Sequence, residues 1–188
     1  MSLTVDTPNG PFTLARECGG CTLCCKVMRV DEPLHKPLNV WCGHCVLGKG
    51  CGIHESRPPV CRNFHCVWLM DASLGPEWHP ERSHMVLWLD LDGRRLNVNV
   101  DESHPDAWRG EPYYSQLKRL ASMALYRDGQ VVVFVGASTF VILPNRHVPL
   151  GDLAADEYIF IERLADGGWD ARKVDETQAE ELRRSGRA

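Results

Sequence analysis

Several things are missing from this chain, and each absence excludes something. No stretch approaches the roughly 18 apolar residues that a membrane span needs. The opening run MSLTVDTPNGPFTLARECGG has no basic start, no apolar stretch and no small-residue cleavage site, so no export signal is read there. The phosphate-cradling loops GxGxxG and GxxxxGK[ST] are absent, so nucleotide binding has no support, and the metalloprotease motif HExxH is absent too. Positive charge is not in excess: the formal net charge is -4, which argues against nucleic acid as a partner. Cysteine is absent after residue 66, although the chain runs to 188 residues.

All nine cysteines therefore fall in one window, at Cys18, Cys21, Cys24, Cys25, Cys42, Cys45, Cys51, Cys61 and Cys66. Thiols packed this densely form disulfides, hold metal or act as redox nucleophiles. A disulfide framework belongs to exported chains, and an odd count leaves one thiol over. Cytoplasmic residence, with reduced thiols, is the expectation. Metal is the stronger reading. Cys18/Cys21 and Cys42/Cys45 are two CxxC pairs, each of which sets two sulfurs on one tight turn. Gly19, Gly20 and Gly43 inside those turns are expected to ease the backbone. Buried inert cysteines are the bland alternative. That does not account for nine of them in a polar, glycine-rich stretch.

The metal stays open between an iron–sulfur cluster and zinc, since tetrahedral thiolate sites suit both. Adjacent Cys24 and Cys25 rarely point at one ion, so they serve two centres or one is free. Nine cysteines with His44, His54 and His65 suffice for two four-ligand sites, and the partition is open. Arg57 and Arg62 are candidates to offset the negative charge of such a centre. Metal ions are the expected partners, with a protein partner conceivable and no membrane.

The runs CGGCTLCC, WCGHC and GCGIHESRPPVCRNFHCVWL resemble the CxxCxxCC proteins, described as a zinc- or iron-chelating domain. The resemblance covers residues 18–69. Its most specific element is C-x-I-[YH]-E-x-R-P-x-x-C-R, met by Cys51, Ile53, His54, Glu55, Arg57, Pro58, Cys61 and Arg62. It implies metal binding and not a reaction. Two functional classes are open. One is a binding module for metal handling, redox sensing or metal-stabilised interaction. The other is a metal-dependent or redox enzyme working at the cysteine-ligated centre.

The fold expectation is α+β, with four segments. Residues 1–17 form a polar leader. Residues 18–82 form a loop-rich metal-binding region, whose cysteine stretch 18–70 is too poor in apolar residues to fold without metal. Residues 83–175 form a mostly antiparallel sheet with one principal helix. Residues 176–188 form a polar tail. Within these, prolines 58 and 59 predict a helix over 58–69. On it Cys61 and Cys66 would stand about 140° apart, so they could not easily share one ion. Residues 85–91 and 95–100 alternate around Asp92-Gly93, a hairpin signal. Residues 112–127 carry helical periodicity. VVVFVG and TFVILP read as a second hairpin, and residues 158–164 and 169–174 as a third around Gly167-Gly168. Trp41, Trp68, Trp78 and Trp88 are expected to cover the metal region.

Overall fold

A computed structural model describes residues 4–7, 10–90 and 93–185. It is α+β, as expected. The chain divides into two compact units: Met1–Leu89 with Val98–Trp108, and Asp90–Asn97 with Arg109–Ala188.

The first unit opens on an antiparallel hairpin, β1 (Thr4–Thr7) and β2 (Gly10–Thr13), where a polar leader was expected. The cysteine region is then built of very short elements. Helix α1 is one turn, Cys24–Val27, and the pair β3 (Cys45–Val46) and β4 (Gly50–Cys51) is a two-residue ladder. The helix expected over 58–69 is instead two separate turns, α2 (Pro59–Arg62) and α3 (Val67–Met70). Pro58 at the N-cap and Pro59 at the first helical position start α2 as predicted. The break comes at Cys66, whose backbone is extended (φ -71, ψ 156) and whose side chain is buried. Continuing the helix would give up that extended conformation. A further turn, α4 (Pro80–Ser83), ends at His84 in the left-handed region (φ 57) and leads into β5 (Met85–Asp90).

The apolar core of this unit is Leu14, Leu23, Val27, Cys66, Leu69 and Val86, with Met28, Phe64, Trp68 and Met70 packed against it. So residues 18–70 are not coreless, contrary to the expectation from composition. Their two ends reach a shared core, at about 1.5–3 kcal/mol per fully buried side chain. The middle does not. Between Met28 and His65 the only buried side chain is Lys36.

Arg16 ties the ends together. Its Nη1 donates to the carbonyls of Trp68 (2.6 Å) and Asp71 (2.5 Å), and its Nη2 to those of Ala72 (3.0 Å) and Leu74 (2.7 Å). Its guanidinium also lies 3.8 Å from the centre of the Trp68 ring. These carbonyls lie at and after the end of α3, where helical partners have run out, and one planar fork satisfies four of them.

Strand β5 is succeeded by β6 (Arg95–Val100); the turn residue Asp92 lies outside the described residues. After the principal helix α5 (Tyr113–Leu125) come β7 (Gln130–Val135), β8 (Ser138–Ile142) and β9 (His147–Gly151). The five strands are ordered β5-β6-β7-β8-β9. In the second unit α5 buries Leu117 and Ala121, and β7 pairs antiparallel with β8. β9 was not foreseen. It carries Pro149, which lacks a ladder donor, and pairs with β8 across a register shift at Thr139/Phe140. Both features suit an edge strand and weaken its signal in the sequence.

The hairpin β10 (Tyr158–Arg163) and β11 (Trp169–Val174) forms as predicted. Val141, Leu143 and Ala171 make the buried centre of a cluster with Val148, Leu150, Ile159, Ile161 and Trp169. The polar tail is largely helix α6 (Glu176–Arg184), started by a capping box. There the Asp175 carboxylate accepts from Gln178 N (2.8 Å), and the Gln178 side chain accepts from Asp175 N (3.1 Å). Residues 186–188 lie outside the described ones.

Candidate metal centre

Both CxxC segments fold as turns closed by a backbone hydrogen bond. Cys21 N donates to Cys18 O at 3.2 Å, and Cys45 N to Cys42 O at 3.0 Å. Gly19 takes φ +57 in the first turn, which a side chain would resist. A Cβ on Gly20 would stand 3.1 Å from the Gly48 carbonyl oxygen, so the first turn lies close against the loop joining β3 to β4. Gly43 was expected to ease the second turn, but it needs no positive φ and a Cβ there would meet nothing. The second turn is joined to α1 directly, by Cys42 N donating to Cys25 O at 2.9 Å. The ladder of β3 and β4 then sets Cys45 opposite Cys51.

All nine cysteines are free thiols, and they fall into two neighbourhoods. In one, Cys21 acts electrostatically with Cys18 and Cys66, beside the carboxylate of Glu81. Glu81 is itself held by Thr22, whose N and Oγ1 each donate at 2.9 Å. Burial raises the Cys21 thiol to about 12 and Cys66 above its usual value. Cys21 and Cys24 both pack against the apolar core. In the other, Cys25 is the hub. Its thiol is in hydrogen-bonding contact with Cys24 and Cys45, and it acts electrostatically on Cys18 and Cys61. Burial, then Cys25, raises Cys45 to about 11, with Cys42 and Cys51 adding to it. Cys61 is raised by burial and by Cys25, Cys42 and Cys51. The adjacent Cys24 and Cys25 thiols touch each other, and Cys24, which also packs against the apolar core, stands between the two neighbourhoods. The break between α2 and α3 sends Cys61 to one neighbourhood and Cys66 to the other.

At Cys18, Cys21, Cys45, Cys61 and Cys66 neighbouring thiols add to burial in raising the pKa, because like charges gathered in one place resist ionisation. A cation among them reverses that resistance, since a bound thiolate is the metal ligand and the proton leaves. The donor chemistry and the chain's turns therefore fit a thiolate-bound metal. The sulfurs are not drawn into a closed cage: among the described residues, no three of them lie within 4.8 Å of one another.

Arg57 lies near both neighbourhoods, and its charge pulls Cys18 and Cys61 down against burial. Its Nη1 donates to His54 O at 3.2 Å, and Arg62 donates to Arg57 O at 3.3 Å. Arg62 itself is exposed. His44 and His54 are exposed, and His65 is half-buried. None of these histidines joins a three-donor group among the described residues. Trp78 is buried, and Trp41 is 41% exposed with Lys26 Nζ 5.7 Å from the centre of its ring.

A different donor group was not anticipated. His84, Asp101 and His104 bring three donor atoms within 4.8 Å. Two features count against a metal there. Asp101 Oδ1 already accepts from Lys26 Nζ at 2.6 Å and from Ser103 N at 2.9 Å. The two imidazoles lie stacked, 3.6 Å apart with planes 8° from parallel. Ring nitrogen lone pairs lie in the ring plane, so parallel rings do not aim them at one point. The group is a packed polar cluster.

Comparison with protein-family models, with curated proteins and with solved structures finds no match. The functional reading rests on the chain's own residues.

Proposed function

We propose that this protein is a cytoplasmic metal-binding protein whose cysteines hold zinc or an iron–sulfur cluster in one or two centres. Its role is metal handling, redox sensing or presentation of a metal-stabilised surface. The resemblance to the CxxCxxCC proteins agrees with this reading. One observation carries it. Cys25, Cys42, Cys45, Cys51 and Cys61 are electrostatic neighbours in a stretch that buries no apolar side chain between Met28 and His65. Something other than a hydrophobic core must hold those loops, and structural zinc contributes on the order of 10 kcal/mol in small thiolate peptides. Cys18, Cys21 and Cys66 are the natural start of a second centre, with Cys24 within reach of either.

The test is elemental analysis of protein purified without oxygen and without a metal-affinity tag. At least about one equivalent of zinc or iron per chain is expected for an occupied structural site. Iron with a broad absorption band identifies a cluster; a colourless zinc protein identifies a zinc site. Less than roughly half an equivalent of both metals together would sink the proposal.

A further inference from the structure

Lys36 is 5% exposed. Its Nζ donates to the carbonyls of Lys26 (2.9 Å), Met28 and Pro37 (2.9 Å). All three donors of the ammonium are thus used. Its backbone is fixed as well: Lys36 N donates to Val30 O at 2.7 Å, and Val30 N to Lys36 O at 3.0 Å.

Carbonyls satisfy the hydrogen bonds of an ammonium but bring no net charge. A buried cation without a counter-charge costs several kcal/mol. Among the described residues, no carboxylate pairs with Lys36. The groups whose charge acts on it are four cysteines, Cys42, Cys25, Cys24 and Cys61. The geometry sets the ammonium beside them: Nζ reaches the carbonyl of Lys26, the residue after Cys25, and Cys42 N donates to Cys25 O at 2.9 Å. The placement makes sense for a centre that carries negative charge in its working state.

We propose that Lys36 is the internal counter-ion of an anionic thiolate centre built around Cys25, Cys42 and Cys61. This rests on the metal-binding reading above and says what kind of centre it is. Four thiolates on a divalent ion leave a formal charge of -2. A fixed ammonium offsets part of that charge without touching the metal. Each cysteine that binds releases its proton to solvent, and no electron moves. Lys36 is a positioning residue and not a ligand. It favours a soft ion held by thiolates alone over one held partly by neutral imidazoles, because only the former leaves negative charge to offset.

The test uses the full-length apo chain under reducing conditions, with Zn2+ and Co2+ as probes and the variants Lys36→Met and Lys36→Arg. Zn2+ affinity is read by competition with a chromophoric chelator. Lys36→Met is expected to bind roughly ten- to a hundredfold more weakly, the usual cost of losing a group that supports metal ligands. Lys36→Arg, which keeps the charge, should recover most of that loss. At saturation the Co2+–thiolate absorption of Lys36→Met should match the parent, because the ligands are the same. Unchanged Zn2+ affinity in Lys36→Met overturns the proposal. So does an altered Co2+ spectrum, which would mean that Lys36 only shapes the loop. If hydrogen exchange shows that Lys36→Met has lost the fold of residues 24–37, Lys36→Arg decides. Affinity near the parent's supports the counter-ion, and a loss beyond about tenfold, or 1.4 kcal/mol, overturns it. A parent chain that binds neither ion refutes the metal-binding reading itself.

Discussion

Replacing Arg16 by Gln removes one side chain that holds four carbonyls and covers the Trp68 ring. A hydrogen bond from a charged donor contributes about 1.5–3 kcal/mol when measured singly. The four share one guanidinium and are only partly buried, so they do not add. Two bonds' worth, about 3 kcal/mol, is a fair figure for the whole clasp. The loss should be local. Ala15 N and Arg16 N both donate to Leu69 O, at 2.8 and 3.2 Å, so the clasp and the end of α3 open together. Hydrogen exchange measured by mass spectrometry reads this directly. A drop of about 3 kcal/mol in opening free energy means roughly hundredfold faster exchange at Ala15 and Asp71. Amides of the hairpin β10–β11, in the other unit, should not change. Lys in place of Arg keeps the charge but cannot span four acceptors, so it should recover less than half. The reasoning is refuted if Arg16→Gln leaves exchange over residues 66–74 within about threefold of the parent, under 0.7 kcal/mol.

Two further outcomes are expected. Burial and the neighbouring His104 hold the His84 imidazole below its usual 6.5, with Lys26 pushing the same way and Asp101 opposing. The folded state thus favours neutral His84. Its contribution is complete above about pH 6.5 and is lost as pH falls through the lower folded value. Urea unfolding at pH 7.5 and 5.5 should show a smaller acid loss in His84→Asn, since Asn also accepts the left-handed backbone; an equal loss in both proteins contradicts the assignment. Arg57→Gln should lower metal retention against a chelator roughly tenfold. Arg127→Gln, an exposed control, should not; equal retention in both would make Arg57 an ordinary surface residue.

The strand-rich half was legible because its signals are local. Residues 158–164 and 169–174 alternate around a glycine turn, and α5 obeys apolar spacing closed by Asp128-Gly129. β9 escaped notice because Pro149 disguises it. The cysteine region was legible in its turns and less so in its overall shape. Spacing announced the two closed CxxC turns. It could not announce that Cys66 leaves the helix to join a core with Leu14 and Val86, because that core draws on residues far apart in the chain. Adjacency led to the expectation that Cys24 and Cys25 part company, yet their thiols are in hydrogen-bonding contact. Lys36 gave no signal: a lysine among prolines and a histidine reads as surface, and only its three carbonyl partners show otherwise.

The edge formed by β9 bears on how the chain behaves at high concentration. An open strand edge is a template on which another molecule can lay its own strand. β9 offers a poor one. Pro149 deletes a donor from the row, Gly151 sits at the register shift with its backbone in the left-handed region, and the strand is only five residues long. A second chain arriving there would find a broken line of partners, and Lys173 of β11 already donates to Asp152 O just past the strand's end.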